Sequence, residues 1–331
     1  MGRAIEILFE PKRGFASSTP TYRFYSDGTL KTLNISFKVS KSLSGSDGNN
    51  ASVSIYNLSR DTISALSEKF TDYYCSILVG TEESRELLFG GGIKRVWYSK
   101  ENLDKKVEIT LYKAELDRYY LAWLSLSATE YGRLVFVDSL RKNSREVQVK
   151  NYKNLETMIN LIAQCYKECQ YPNLKISGLR GPKWKNYYIR REKVPKSLSF
   201  VNQNFSQILT KVCSEYGLTW SIDNDEFYYV PDDYFDEFKK KETQKPKNII
   251  KVGRDVIMSS QIVLSEGFGT FVQGASIEAI MNPAVVPGTI IEMDSSFYSQ
   301  FNQQYMVHDV EFEGTAKGNN WKMSLECKRM F

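Results

Sequence analysis

Apolar and polar side chains alternate with a period of two over much of the first third of the chain. Residues 33–40 place an apolar side chain at every second position, and residues 51–56 repeat the pattern. Such alternation is typical of a strand with one face on a core. The polar stretch 42–50 between them contains two glycines. We therefore predict an antiparallel hairpin with a long loop.

A short helix interrupts the strands that follow. Ser59 can cap a helix over residues 60–70, in which Ile63, Leu66 and Phe70 share one face. Further strands are predicted at 74–79, 87–98 and 107–112. Many short antiparallel strands with one small helix favour a barrel or a sandwich.

The middle third of the chain has helical spacing instead. Apolar residues recur every three or four positions over 155–166 and again over 205–216, which predicts two amphipathic helices. Gly217 is suited to end the second helix. Alternating residues in 218–222 and 227–230 predict a hairpin after it. The segment is therefore expected to form a small α+β unit.

Period-two alternation returns after a charged stretch, 232–248, that we interpret as a solvated linker. Strands are predicted at 252–264, 290–293, 305–312 and 321–328. The expected fold is mainly β with an α+β insert. The predicted domains are a first β-barrel at 1–135, an intermediate domain at 136–238 with a basic loop at 178–199, a linker at 239–248, and a second barrel at 249–331, to which the middle segment can add strands.

Composition narrows the class of protein. A length of 331 residues predicts two or three domains, and a net charge of +5 is too weak to indicate nucleic-acid binding by itself. No apolar stretch approaches the ~18 residues of a membrane helix. The start of the chain lacks a signal-peptide pattern, and five irregularly spaced cysteines indicate buried thiols rather than a disulfide framework. We expect synthesis in the cytoplasm.

Candidate chemistry is sparse. A single histidine, His308, excludes zinc sites with two or three histidines and leaves few nucleophile–histidine arrangements. His308 lies in an alternating strand, where packing or hydrogen bonding is the favoured role. The acidic residues Asp232, Asp233 and Asp236 fall in the linker and favour a solvated cluster over paired catalytic carboxylates. We predict no catalytic residue, no cofactor and no metal site.

One basic and aromatic segment stands out before residue 199. Its candidate partner-docking residues are Arg180, Lys183, Trp184, Lys185, Tyr187, Tyr188, Arg190 and Arg191. Cationic and aromatic side chains together suit phosphate contact and base stacking on single-stranded nucleic acid. The same mixture suits docking on an acidic protein surface, because arginine and aromatic residues are enriched at interfaces. The second interpretation is favoured.

A proline- and glycine-containing block near the C-terminus resembles a known family. The pattern Asn-Pro-x-x-x-Pro-Gly at 282–288 is similar to a turn-and-strand signature of tailed-phage baseplate hub proteins. Its structural signature residues are Asn282, Pro283, Pro287, Gly288, then Tyr305 and His308 in the next strand, and Trp321 at the start of the closing strand. The N-terminal hairpin resembles the same family less specifically, through a second strand that ends in Asn-Leu-Ser before a short helix.

The resemblance implies a structural, non-enzymatic protein. In this family two tube-like barrels per chain form a homotrimer, whose six barrels make a pseudo-hexameric ring between the tail tube and the central spike. Implied partners are tube, spike and other baseplate proteins, with transient passage of DNA and tape-measure protein. The virion tail, assembled in the host cytoplasm, is the implied location, and no wall-degrading domain is expected. The alternatives are a nucleic-acid-binding β-barrel protein that uses residues 180–196, or a tail-associated cell-wall hydrolase.

Overall fold

The computed structural model of the chain describes residues 3–11, 20–43, 49–101, 103–112, 124–128, 132–138, 147–169, 174–179, 197–223, 226–231, 249–253, 255–267, 270–294 and 302–329. The strands of the N-terminal part are β1 (Ala4–Pro11), β2 (Tyr22–Ser26), β3 (Ile35–Ser42), β4 (Asn50–Tyr56), β5 (Tyr73–Gly80), β6 (Arg85–Glu101) and β7 (Asp104–Tyr112). Those of the middle part are β8 (Leu124–Ala128), β9 (Arg133–Asp138), β10 (Val147–Asn151), β11 (Lys175–Leu179), β12 (Leu198–Gln203), β13 (Leu218–Asp223) and β14 (Glu226–Pro231). The C-terminal part holds β15 (Ile249–Val252), β16 (Ile257–Gly267), β17 (Thr270–Ile280), β18 (Ile290–Met293), β19 (Gln304–Thr315) and β20 (Trp321–Arg329).

Three α-helices occur in the described part of the chain, at the places predicted from apolar spacing, and a short 3-10 helix, Phe70–Asp72, follows the first. They are α1 (Arg60–Lys69), α2 (Leu155–Cys169) and α3 (Phe205–Glu215). The Ser59 side chain caps α1 by accepting a hydrogen bond from the backbone of Thr62. A capping box between Asn204 and Gln207 begins α3. Gly217 follows α3 with a φ of 59°, the left-handed conformation that glycine adopts without strain.

The N-terminal and C-terminal parts, which we call the first and second halves, repeat one arrangement of strands. In the first half the hydrogen-bonded order is β3-β4-β7-β6-β5-β1, followed by β2. In the second half it is β16-β17-β20-β19-β18-β15. In each half one hairpin, β3-β4 or β16-β17, lies beside a second hairpin, β7-β6 or β20-β19, and β5 or β18 follows antiparallel. The halves differ at the next strand, since β1 pairs antiparallel with β5 and β15 pairs parallel with β18. The expected mainly β, antiparallel fold is therefore confirmed, and it contains an internal duplication.

A direct strand pairing joins the two halves into one sheet. Seven residues of β3, Ser36 to Ser42, pair antiparallel with Asp309 to Thr315 of β19. The apolar core is continuous across this joint, since Val39 and Phe312 are opposite each other and both are fully buried. The two halves thus share a core as well as a sheet.

The middle part has its own core. One sheet has the order β10-β9-β8-β12 and the other β11-β14-β13. Helices α2 and α3 pack together between them, with the rings of Tyr166 and Phe205 stacked 3.9 Å apart. Strands β8 and β9 pair with β10 and β12 in this part and not with the sheet of the first half. Alternation identifies a strand but not the sheet that it joins.

Several strands were not predicted, for different reasons. The apolar run in β1 is buried on both faces, with Ala4, Ile5, Ile7 and Phe9 fully inaccessible, so it lacks the alternation that marks a half-buried strand. Strand β17 begins directly after the glycine-containing stretch 267–269, and sequence reasoning assigned it no strand. The linker predicted at 239–248 and most of the basic loop predicted at 178–199 lie outside the described residues; the ends of that loop belong to β11 and β12.

Candidate assembly site at the joint of the two halves

The Asn-Pro-x-x-x-Pro-Gly block forms two consecutive turns. In the first, the carbonyl of Asn282 accepts from the backbone of Val285 at 3.1 Å, and Pro283 occupies the second position. In the second turn, Val286 accepts from Thr289 at 2.9 Å. Pro287 and Gly288 fill its central positions, and Gly288 has a φ of 84°. Proline followed by a glycine of positive φ is the composition of a type II turn.

The second turn contacts all three parts of the molecule. The Gly288 backbone donates to the carbonyl of Val307 at 2.8 Å, and the Tyr228 hydroxyl donates to the carbonyl of Pro287 at 3.2 Å. The surrounding apolar cluster is formed by Leu43, Tyr228, Val230, Ile290 and Met306. The sequence signature therefore marks the place where the first half, the middle part and the second half meet.

A buried ion pair between β3 and β13 joins the middle part to the first half, close to this turn. Lys41, at the end of β3, is 2% exposed, and its Nζ lies 3.0 Å from Oδ1 of Asp223 and 3.1 Å from Oδ2. Asp223, at the end of β13, is 6% exposed. Breaking such a pair is costly because it leaves an uncompensated buried charge.

Neutral hydrogen bonds surround the ion pair. The Asn49 amide donates to the carbonyl of Ile222 at 3.0 Å and accepts from the backbone of Ser42 at 3.0 Å. The Ser221 hydroxyl donates to the Ser42 carbonyl at 3.1 Å. The ends of β3 and β13 are thereby held in one relative position.

His308 lies where β19 changes partners. Residues 304–306 pair with β18 and residues 309–315 pair with β3. Between them the pairing with β20 shifts at a bulge between Val307 and Asp309. The alternation of this strand is interrupted there: Met306 and Val310 are buried, whereas His308 is partly exposed.

The backbone and the ring of His308 have separate roles. Its carbonyl accepts from the backbone of Leu43 at 3.0 Å, which extends the joint by one bond. Its Nδ1 lies 2.8 Å from Oδ2 of Asp309. Burial acts to raise the pKa of Asp309, but hydrogen bonds from His308 and Ser42 outweigh it and lower the pKa overall. A structural role for this histidine, by packing or by hydrogen bonding, stays a prediction.

The two remaining signature residues are aromatic and lie in the second half. Trp321 packs edge-on against Phe37 of β3, with ring centroids 6.1 Å apart. Both rings lie beside Gly314, at which an added Cβ would come within 2.5 Å of the Phe37 ring. Tyr305 is fully buried, and burial raises the pKa of its hydroxyl, which accepts from Gln303 at 2.9 Å. Trp321 thus stabilises the joint and Tyr305 the second half itself.

A ladder of charges crosses the outer face of the joint. Lys38 of β3 lies 2.6 Å from Glu311 and 3.3 Å from Glu313 of β19. Lys322 of β20 lies between Glu313, at 3.8 Å, and Glu278 of β17. The hydrogen bond with Glu311 raises the pKa of Lys38, and the bond with Glu278 raises that of Lys322. Burial alone would raise the pKa of Glu313, but Asn320 and Lys38 lower it.

The outer face of the joined sheet is close to neutral. On the strands around the joint, β17-β20-β19-β3-β4-β7 with residues 95–99 of β6, the described outward basic side chains are Lys38, Arg95, Lys106, Lys322 and Lys328, and the acidic ones are Asp104, Glu108, Glu278, Asp309, Glu311, Glu313 and Glu326. Five basic against seven acidic groups leave a difference of two negative charges. Serine and threonine occupy most of the remaining outward positions on β3, β4 and β7. The described residues on this face of these strands form no basic surface that would hold a polyanion.

Some residues at the site were missed by sequence reasoning. Lys41 occupies a core position in the alternation of β3, and a charge at such a position signals a buried partner. Asn57 has a φ of 60°, and its side chain donates to Asp104 at 2.8 Å and accepts from the backbone of Lys105 at 3.1 Å. The Asn-Leu-Ser signature therefore directly follows β4. Its Asn57 is hydrogen-bonded to β7, and its Ser59 caps α1.

The candidate docking residues between 180 and 191 and the acidic residues between 232 and 237 lie outside the described residues. Within the described ranges, no group of three or more histidine, cysteine, aspartate or glutamate side chains could hold a metal ion. No described helix is long and apolar enough to cross a membrane. Cys75, Cys165, Cys213 and Cys327 are buried free thiols, as predicted for these four.

Comparison with known proteins places this fold. No protein-family model and no curated protein matches the sequence. The structure is similar to the tail protein from Neisseria meningitidis MC58, with 8% identity and a TM-score of 0.56 over 99% of this chain and 97% of that chain. It is also similar to the 43 kDa tail protein of prophage MuSo2 from Shewanella oneidensis, with 7% identity and a TM-score of 0.54 over 98% and 96% of the two chains.

A third similar structure is the E. coli c3393 protein, a component of the type VI secretion system that exhibits structural similarity to T4 bacteriophage tail proteins gp27 and gp5. It matches with 7% identity and a TM-score of 0.54, over 92% of this chain and 76% of that one. At such identities the similarity establishes the fold alone. The fold implied by the sequence signature, that of tail proteins, is confirmed.

Proposed function

We propose that this chain is a structural protein of a phage tail or a related injection machine, and that it forms the baseplate hub. Three copies form a ring that joins the tail tube to the central spike. The observation that carries the proposal is the duplication: one chain presents the same arrangement of five antiparallel strands twice, β3-β4-β7-β6-β5 and β16-β17-β20-β19-β18, joined edge to edge. Three chains then provide six equivalent positions, which match a six-fold tube while keeping three-fold symmetry for the spike.

The charge of the joined sheet supports a passage through this ring. DNA carries a dense negative charge, and lysine or arginine clusters would bind it and release counterions. The outer face of the strands around the joint has five basic against seven acidic side chains among the described residues, and more than half of them contact an opposite charge. Such a surface, turned toward the lumen, lets DNA and tape-measure protein pass with little adhesion.

The partners follow from the same arrangement. Proteins with this fold act in tails and in the type VI secretion system, and one of them is similar to T4 gp27 and gp5. We extend this to a tube protein on one side of the ring and a spike on the other. Residues 180–196 remain our candidate segment for docking on another baseplate protein. The role is mechanical and requires no catalytic residue.

Mass measurement in solution tests the proposal. The expected result, alone or with the cognate tube and spike proteins, is a particle of three chains of 38.1 kDa each that appears in electron micrographs as a ring with a central opening. A chain that stays monomeric with both partners present would contradict it. Tight, salt-sensitive binding of the monomer to single-stranded DNA would instead support the nucleic-acid alternative.

A further inference from the structure

In the second half, the middle part covers the surface of β18 and β19 that faces away from the core. Ile291 of β18 points into the core, so Ile290 and its opposite neighbour Met306 on β19 point away from it. These two side chains are only 7% and 3% exposed, because they form one apolar cluster with Tyr228 and Val230 of β14. The middle part of a chain is therefore seated on the second half of the same chain.

The equivalent surface of the first half carries three leucines that are not covered in this way. Strands β5 and β6 correspond to β18 and β19. Ile77 and Phe89 face the core, whereas Leu78 and its opposite neighbour Leu87 lie on the other side, together with Leu8 of β1. Leu87 is 43% exposed, and none of the three leucines belongs to an apolar cluster of the described residues. We call this surface the leucine face.

A fixed polar network borders the leucine face. The Glu6 carboxylate is 6% exposed, and two arginines hold it: Nε of Arg85 lies 2.7 Å from its Oε2, and Nε of Arg23 contacts its Oε1. Arg85 also stacks on the ring of Tyr25, 5.3 Å from the centroid. Adjacent apolar side chains rimmed by polar ones mark interaction sites, and arginine and tyrosine are enriched in protein interfaces. Because the network is already ordered, little side-chain entropy is lost when a protein binds.

The exposed charges around the leucine face are mainly negative. In the described part of β1, β2, β5, residues 85–92 of β6 and the turn 81–84, the exposed charged residues are Glu10, Arg23, Glu82, Glu83 and Glu86. Burial raises the pKa of Tyr25, and the negative charge of Glu82 raises it further, so this charge acts on the face itself. Four carboxylates against one guanidinium favour a partner with lysine or arginine at the facing positions.

We propose that the leucine face is the docking surface for a baseplate protein other than this chain, one that presents an apolar patch bordered by lysine or arginine. The inference rests on the proposed hub and specifies where a further protein attaches to it. Each chain has one middle part, whose Tyr228 and Val230 are already packed on its own second half. A ring of three chains thus has three covered and three free surfaces, and binds three copies of the partner.

Thiol labelling shows which molecule covers the leucine face. Leu87→Cys is treated with a maleimide in the isolated ring of full-length chains and in whole tails produced from the complete tail gene cluster. Wild type gives the background from its own five cysteines. We expect labelling in tails to be at least about tenfold slower than in the ring, because a covered thiol reacts only when the contact opens.

Two results of the labelling would overturn the proposal. Equally slow labelling in the ring and in tails would mean that a second copy of this chain covers the face. Equally fast labelling in both would mean that no protein covers it. A chain that stays monomeric by mass would instead overturn the proposed hub, and this inference with it.

Cross-linking of whole tails with a carbodiimide tests the charge of the partner. The reagent joins a carboxylate to a lysine amine in an amide bond, and the oxygen that the carboxylate loses converts the carbodiimide to a urea. We expect Glu82, Glu83 or Glu86 to be joined to a lysine of another baseplate protein. Links from these residues to a second copy of this chain, or no links, would contradict the proposal.

Leu87→Asp is expected to remove the cross-linked protein from tails while the mass of the hub ring stays that of three chains. The matched control is Ser64→Asp, which adds the same carboxylate at an exposed position of α1, outside the leucine face. This variant should retain the cross-linked protein. Equal amounts of that protein in tails of both variants would show that it is bound elsewhere.

Discussion

At the scale of single residues, the joint depends on one position that has no side chain. Gly314 faces Phe37 on one side and Trp321 on the other, and these rings pack edge-on across it. An added Cβ would lie 2.5 Å from two atoms of the Phe37 ring and 3.3 Å from the Trp321 ring. The close packing of two aromatic rings on the strand is thus possible because residue 314 is glycine.

Gly314→Ala is expected to destabilise the protein by about 1 to 3 kcal/mol, the range of overpacking in a close-packed core. Denaturant unfolding measures the change. In a Phe37→Leu background the two clashing ring atoms are gone, so Gly314→Ala should add less than about half of that cost. Full additivity of the two substitutions would show that the ring contact does not account for the glycine.

At the scale of elements, the β3–β19 pairing combines backbone hydrogen bonds with an external row of charges. Acidic groups on β19 are flanked by Lys38 on one side and Lys322 on the other. Exposed pairs of this kind contribute little singly, and a network contributes more. The raised pKa values of Lys38 and Lys322 and the lowered pKa of Glu313 mean that the pairing favours the charged form of all three side chains.

The joint is expected to weaken in acid. The pKa of Glu313 lies below its ordinary value of 4.5 and that of Asp309 below 3.8. A carboxyl whose pKa is lowered by folding stabilises the protein above the ordinary value and loses this contribution as the pH falls through the folded value. Stability should therefore be nearly constant from about pH 6 to 9 and fall below about pH 4.

Thermal unfolding of wild type and Glu313→Gln across this range measures the effect. The variant, which retains the side-chain shape, should be less stable at pH 7 and should lose less stability between pH 5 and pH 3. Glu83→Gln, an exposed site in the β5–β6 turn, is the control. Parallel curves for wild type and Glu313→Gln would contradict a role for this carboxylate.

Sequence patterns predicted the elements better than their connections. Strands β3, β4, β7 and β20 have one face in water, so their sequences alternate. The helices α1 and α3 were recognisable from their apolar spacing, with Ser59 before the first and Gly217 after the second. The pairing of β3 with β19 leaves no periodic trace, because it joins strands far apart in sequence. The bulge at His308 is a shift in the pairing of β19 with β20, and the alternation of residues 305–312 does not reveal it. The turn at 282–288 was recognisable, but its contact with Tyr228 was not.

At the scale of the whole molecule, a buried ion pair and the hydrogen bonds around it join the middle part to the joined sheet. Lys41 and Asp223 are 182 residues apart in sequence and are both buried. The separate cores of the middle part and the sheet meet beside them. A buried ion pair is a weak source of stability but a strict condition on how two parts fit together.

Lys41→Met is expected to cost about 3 to 5 kcal/mol, because it leaves the Asp223 carboxylate buried without its cation. Lys41→Met/Asp223→Leu should recover at least half of that loss, since no charge then remains. Denaturant unfolding gives both values, and limited proteolysis reports whether the middle part has loosened. An equal loss in the single and double variants would mean that packing, not charge, governs this contact.

The pairing of β3 with β19 also has a consequence for biosynthesis. Ser40 and Glu311 touch across the joint but are 271 residues apart. At 5 to 20 residues per second, a ribosome takes roughly 15 to 55 seconds to supply the missing strand. Throughout that interval the backbone N–H and C=O groups on one edge of β3 have no partner strand, so another nascent chain can pair with them. Fragments released before residues 309–315 have been made are therefore expected to aggregate, because they lack the strand that covers β3.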